Sequence, residues 1–380
     1  MKNNFLAKEK IQEQLAWGLY FFINIIFCIK YNPIDAIKPF YLLVAYPTIV
    51  LLVYKFAKYK DIREKKIFFA AIASCILLLS VFLMIYIDKY SIEVDRWSAL
   101  EYWSENLKNG EFPYGSKTHR GHYASPYPVW QLFHFPFYLL GDTGYGQIFC
   151  LSIFLIFIYR IRNYVNSGAF ILLLAMSPSF WWEMAVRSDS LSNMFLAFIF
   201  LSLLFYKPLL WDKHKYWIGL IVGLFLCTKM LVVIPLFLYF FRKFLSIKTV
   251  KEKFFFISVI LIGLIVPFLP FVFGEKSILN NPYNPILVQV HDGNILTFLV
   301  GVVVVVWASF QWKSMKNCYF YCAILLFLLI FSVGLKTTFG TNIHHTLFED
   351  GLDISYFTTS IPYILFCISE FRKNTQKENI

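Results

Sequence analysis

The 380-residue chain is 58% hydrophobic, 20% aromatic and only 15% charged, a balance that excludes an ordinary soluble domain. Its net charge of +12 could suit nucleic acid, but the basic residues fall in short clusters between apolar runs, so the charge is a topology signal and nucleic acid is not an expected partner. What remains is an all-α, polytopic transmembrane helix bundle, because in lipid each spanning segment must satisfy its own backbone hydrogen bonds.

In chain order, runs long enough to cross as helices are predicted at residues 15–30, 39–55, 67–87, 144–160, 167–182, 190–206, 254–273, 294–311, 318–335 and 354–371. The first run has the length of a signal-peptide core but ends in Phe27-Cys28-Ile29-Lys30 without a small-residue cleavage site, so an uncleaved anchor is expected. Basic clusters lie at 2–10, 55–66, 160–162, 207–215, 242–253, 313–316 and 372–377. If all face the cytoplasm, that side holds 24 of the 35 basic and 8 of the 23 acidic residues, against 11 and 15 on the other.

The apolar block 216–241 is flanked by basic clusters at both ends. Two short passes, or a re-entrant hairpin, turning near Thr228 and Lys229 would satisfy the charge rule and carry Lys229 to the outer surface. The expected total is about 12 crossings with both termini cytoplasmic. One integral membrane domain covers 1–380, divided into N-terminal spans 1–87, an outer loop 88–143, and further spans with short loops 144–380. All seven cysteines sit in or beside apolar runs, so no structural disulfide is expected in the outer loop.

The 88–143 loop is the longest polar interruption. Residues 95–107 read as an amphipathic helix with Trp97, Leu100, Trp103 and Leu107 on one side and Arg96, Glu101 and Glu105 on others, ended by Asn109-Gly110. Residues 129–140 form a second apolar stretch, too short to span and placed in the membrane interface. Later outer loops carry Arg187 and Asp189, then Glu275, Lys276, His291 and Asp292, and finally His344, His345, Glu349, Asp350 and Asp353.

Four groups in these loops could carry chemistry, each with a plainer alternative. Glu93 and Asp95, two apart, share one face of an extended segment and could hold a divalent cation or divide base and orienting roles; the plainer alternative is a solvated loop, in which two nearby acids are common. Arg187 either snorkels to the headgroups, with Asp189 as its partner or as a helix cap, or grips a phosphate with its guanidinium fork. Lys229 lies in the middle of an apolar block, where an ionisable side chain is costly and points to function unless it snorkels from a hairpin. His344 and His345 are candidate metal ligands or loop residues without a ligand.

Several of these segments, in order, resemble the polytopic GT-C glycosyltransferases that use lipid-phosphate sugars. The acidic pair Glu93-Val94-Asp95 in the first large outer loop is one. Another is the run Asn109-Gly110-Glu111-Phe112-Pro113-Tyr114 with Pro126-Tyr127-Pro128 and Leu140-Gly141-Asp142. Arg187-Ser188-Asp189-Ser190-Leu191, the set Gly223-Leu224, Thr228-Lys229 and Pro235-Leu236, and Asp353-Ile354-Ser355-Tyr356-Phe357 with Pro362 complete the series.

The resemblance implies a GT-C-like bundle and an inverting, mannosyltransferase-like transfer of a sugar from a polyprenyl-phosphate donor. The acceptor would be a lipid, glycan or protein at the non-cytoplasmic face. It makes Asp95 the expected base, with Glu93 orienting it or holding a cation, and Lys229, Arg187, Arg96, His344 and His345 the donor-phosphate ligands. Tyr127, Trp97, Asp189 and Tyr356 are expected to line the substrate pocket. No cofactor is required; a divalent cation, Mg2+ or Mn2+, on Glu93 and Asp95 is compatible with the pattern. A compact chain without eukaryotic sorting signals suggests the bacterial inner membrane. The competing expectation is a transporter or flippase of lipid-linked glycans, which would show charges on broken helices and inverted repeats.

Overall fold

A computed structural model describes residues 2–32, 39–59, 61–290, 295–349 and 351–370. Lys60, His291, Asp292, Asp350 and the basic cluster at 372–377 lie outside the described residues. The chain is all-helical: among the described residues no β-strand forms, only isolated bridges such as Lys117 with Tyr123.

The first helices are α1 (Lys2–Lys30), α2 (Pro39–Tyr59), α3 (Lys66–Tyr86), α4 (Arg96–Lys108), α5 (Pro128–Leu139), α6 (Gly144–Arg160), α7 (Ser167–Ala175), α8 (Pro178–Ala185) and α9 (Ser190–Tyr206). They are followed by α10 (Leu209–Leu226), α11 (Val233–Leu245), α12 (Val250–Ile265), α13 (Pro285–Val290), α14 (Ile295–Gln311), α15 (Met315–Gly340), α16 (Ile343–Phe348) and α17 (Ile361–Ser369). Among the described residues five helices are long and apolar enough to cross a membrane, or up to seven if each of two bent pairs is one span. The expected span 167–182 is broken, with α7 and α8 meeting at 65°. Pro178 explains the break, since it lacks an N–H and pushes Ser177 out of helical geometry. All seven cysteines are free.

The chain divides into two compact units, one of Met1–Leu83, Leu151–Ala185 and Lys316–Ile380, the other of Met84–Cys150 and Val186–Met315. In the first unit α1 is pinned by buried polar side chains. Tyr20 donates to the Leu173 carbonyl at 2.7 Å, and Asn24 Oδ1 accepts from both Ser177 and Ser179 hydroxyls. Polar contacts mark both ends of this unit. Asn317 donates to Gln12 and Lys316 faces Glu370 at one end, while Lys30 reaches the Glu349 carbonyl at the other.

The second unit is ordered by a hairpin. Helix α10 stops at Leu226, residues 227–229 break the helix, and a short 3-10 turn leads into α11. The two arms return to the same end: Trp211 packs on Phe240 at 6.0 Å, and Lys243 lies over the Trp211 ring at 6.0 Å. Helix α12 runs beside α10 in the same direction, with Lys215 paired to Glu252 at 2.6 Å near their starts and Gly223 against Ile260 and Gly263 further on. A Cβ at Gly223 or Gly263 would meet opposing backbone, so these glycines let two helices approach closely.

Arg242 bonds the Trp312 carbonyl, which collects the basic residues at 207–215, 242–253 and 313 at one end. At the other end of α12, Phe271 packs against Trp103 and Tyr114 of the 88–143 segment at 5.7 and 5.4 Å. The long polar segment and the break holding Lys229 therefore sit at the end of this unit opposite its basic clusters.

Candidate functional site

The α4 sequence buries Trp97, Leu100 and Trp103 on one face, as its spacing predicts, and Gly110 ends the helix region with φ of +74°, a left-handed conformation. Arg96 departs from expectation, because it is buried as well. Its Nη1 donates to Ser188 Oγ at 2.7 Å and Ser190 Oγ at 2.9 Å, tying the start of α4 to the start of α9.

Asp95 stands one residue ahead, half-buried. The segment that follows the short 3-10 turn Pro113–Gly115 folds a small hairpin over it: Thr118 N donates to the His122 carbonyl at 2.8 Å, Gly121 N to the Thr118 carbonyl at 2.8 Å, and Gly121 takes φ of +86°. This hairpin puts two donors on one carboxylate oxygen. Thr118 Oγ1 donates to Asp95 Oδ2 at 2.9 Å, and His122 Nδ1 lies 2.8 Å from the same oxygen. Glu93 does not join them. Its side chain is exposed, and the segment's link to the hairpin is the Glu93 carbonyl, which accepts from Arg120 at 2.7 Å. Among the described residues no group of three His, Cys, Asp or Glu could hold a metal ion.

Lys229, in the break between α10 and α11, reaches Asp189 Oδ1 at 2.5 Å and Ser190 Oγ at 3.2 Å. The other carboxylate oxygen of Asp189 accepts from Trp130 Nε1 at 2.6 Å. Asp189 is buried at the N-cap of α9, yet its side chain makes no cap bond there. Burial pushes its carboxyl up, but the charges of Lys229, His134 and Arg96 and the Lys229 hydrogen bond outweigh that and hold it below the usual range. Backbone bonds stitch the break in place: Tyr127 and Val129 donate to the Thr228 and Cys227 carbonyls, and Gln289 bridges Met230 N and the Ser125 carbonyl.

Three expected roles are corrected by this geometry. Asp189 is neither the partner of Arg187 nor the side-chain cap of α9; Lys229 and Trp130 take both its oxygens. Arg187 is buried, with φ of +51°, and its Nη2 donates to the Met84 and Ile87 carbonyls at 2.5 and 3.1 Å while Nε faces Asp142 at 3.3 Å. It therefore clamps the end of α3 to the start of α6 instead of snorkelling. Trp97 lines no open pocket. It is fully buried, stacked on His119 at 5.1 Å with Lys89 over its ring at 5.3 Å.

Tyr127 is also buried, edge-on to Phe268 at 5.5 Å. His344, His345 and Tyr356 belong to the other compact unit. Both histidines turn Nδ1 to Glu349, at 3.1 and 2.7 Å, and those hydrogen bonds hold its exposed carboxyl below the usual range.

The structure thus brings together Arg96, Asp189 and Lys229 through one hydrogen-bonded chain, Arg96 to Ser190 to Lys229 to Asp189, while the Asp95 carboxylate, one residue ahead of Arg96, bonds Thr118 and His122. Sequence reasoning missed Thr118 and His122 as partners of Asp95, and Trp130 as the partner of Asp189. The only sequence signal for the first pair is the His119-Arg120-Gly121-His122 run, whose glycine permits the turn. Comparison with models of protein families, with curated proteins and with solved structures finds no match.

Proposed function

We propose that this chain is a GT-C-like membrane glycosyltransferase of about 12 crossings. It transfers a sugar with inversion from a polyprenyl-phosphate donor to a lipid, glycan or protein acceptor. One observation carries the reading: Arg96, the residue that follows the carboxylate Asp95, is joined to Lys229 by way of Ser190, within one compact unit and opposite its basic clusters.

Such a transfer needs a group to take the proton of the acceptor hydroxyl and cations to stabilise the phosphate that leaves. The Asp95 end supplies the first and the Lys229 end the second. The opposite, basic end faces the cytoplasm in this reading, which puts the site at the outer face of a bacterial inner membrane with both termini inside. The apolar helix α5, whose Trp130 contacts Asp189, offers a surface for the prenyl chain.

The test is a screen of radiolabelled polyprenyl-phosphate hexoses and pentoses against membranes containing the chain, reading both label transferred and polyprenyl phosphate released. Transfer with one donor supports the reading, and none with any donor overturns it. A second reading, a transporter or flippase of lipid-linked glycans, is favoured by one feature, the helix break that carries Lys229. It predicts movement of label across sealed vesicles without release of polyprenyl phosphate.

A further inference from the structure

Resting on the proposed sugar transfer, we infer that the acceptor proton is taken by Nε2 of His122, and that Asp95 acts behind it as the group that holds and charges the ring. The hairpin at 117–123 presents the imidazole with Nδ1 at 2.8 Å from Asp95 Oδ2. The tautomer that donates from Nδ1 to the carboxylate leaves the Nε2 lone pair as the basic position.

Exposure separates the two members: the His122 side chain is 70% exposed and that of Asp95 only 26%. A substrate hydroxyl approaching from solvent meets the ring before the carboxylate. Asp95 Oδ2 is in addition already occupied by two donors, Thr118 and His122.

The neighbouring histidine provides a contrast. His119 has one ring nitrogen at 2.8 Å from Ser98 Oγ and the other at 2.9 Å from the Ile92 carbonyl, and its face is covered by Trp97. It has no nitrogen to offer, whereas Nε2 of His122 has no protein partner among the described residues. The other charged groups of this small hairpin region, Arg120 with its bond to the Glu93 carbonyl and Lys117 over Tyr123, do not contact the His122 ring. The pattern is that of an imidazole oriented by a carboxylate, in which the carboxylate fixes the tautomer and stabilises the imidazolium.

The step balances without any further reagent. The acceptor oxygen forms a bond to the anomeric carbon as the bond from that carbon to the phosphate oxygen breaks. The electron pair leaves on polyprenyl phosphate, near Lys229. The hydroxyl proton moves to His122 Nε2, is held as imidazolium against Asp95, and passes to water.

The experiment uses the full chain in membranes with the radiolabelled donor that the screen identifies, and compares wild type, His122→Ala, His122→Gln and Glu105→Gln. A loss of about 10² to 10⁴ in both histidine variants is expected, with Glu105→Gln unchanged. Imidazole added to His122→Ala should restore part of the rate. Wild-type transfer with full activity in both histidine variants overturns the dyad and leaves the enzyme reading standing. So does a loss that imidazole does not rescue, because it marks His122 as a structural clasp. Absence of transfer by wild type with every donor overturns both.

Discussion

Lys229 Nζ stands 2.5 Å from Asp189 Oδ1, closing an ion pair between residues 40 apart in sequence, one in a helix break and the other at a helix start. The pair is largely withdrawn from water, with side-chain exposures of 15% and 3%. Breaking it by Lys229→Met strands a buried carboxylate and is expected to cost about 3–5 kcal/mol. Asp189→Asn keeps an acceptor for Trp130 Nε1, so the double variant should recover more than half of that loss. Unfolding midpoints of the purified protein in detergent form the cycle; strictly additive losses would show that the two residues do not interact.

The same pair sets a pH dependence whose sign follows from Asp189. Burial raises its carboxyl, but Lys229 first, then His134 and Arg96, bring it below the ordinary value. A depressed carboxylate contributes stability that is present above the unfolded value of about 3.9 and is lost as pH falls through the folded value. Wild type should therefore hold its midpoint from pH 7 to about 5 as far as this group is concerned and lose stability steeply below about 4. In Lys229→Met burial is left with less opposition, so the variant should gain stability on acidification over that range. Parallel curves for the two proteins would remove Asp189 as the source.

At Asp95 the prediction concerns rate. The carboxylate receives Thr118 and His122, while Glu105, on the same segment, is exposed on α4. Asp95→Asn should lower sugar transfer by about 10² to 10⁴ in folded protein, with Glu105→Gln near wild type. Equal rates for the two variants would take Asp95 out of the site.

Much of this arrangement was readable in the chain where the signal is local. The spacing of Trp97, Leu100 and Trp103 specifies the buried face of α4, and basic clusters on both sides of 216–241 require a turn near Lys229, where the helix does break. The partners of Asp189 were not readable, because Trp130 and Lys229 lie 59 and 40 residues away and nothing local selects them. Arg187 misled for another reason: its left-handed backbone turns the side chain back onto the Met84 and Ile87 carbonyls, and neither feature leaves a mark on residue type. His122 is hidden in a polar loop, where a histidine says little until the hairpin that aims it is known.

Helix approach supplies a test that is independent of chemistry. A Cβ at Gly223 would run into the Ile260 carbonyl and the Gly263 backbone, whereas at Gly301 it would meet nothing within 4 Å. Gly223→Ala should lower stability by about 1–3 kcal/mol through forced separation of α10 and α12, and by carrying the break with Lys229 it should also weaken transfer. Gly301→Ala should be neutral or slightly stabilising in a helix interior. Indistinguishable midpoints for the two would mean that α10 and α12 do not pack at this glycine pair.

Arg187 and Lys229 separate two ways for a cation to matter. Arg187 is committed to Asp142 and to two carbonyls, and its φ of +51° stores strain of about 1–3 kcal/mol that those bonds must offset. Arg187→Lys should therefore lower the unfolding midpoint, since an ammonium cannot reproduce the fork, while the folded fraction binds polyprenyl phosphate as wild type does. Lys229 stands beside Ser190 and Asp189 with 15% of its side chain exposed, so Lys229→Met should weaken that binding tenfold or more, in line with about 1.4 kcal/mol or more of lost charge interaction. Titration of each folded variant with polyprenyl phosphate in nanodiscs, with its unfolding midpoint measured on the same sample, separates the roles. Weakened binding in Arg187→Lys at an unchanged midpoint would return the guanidinium to the phosphate site.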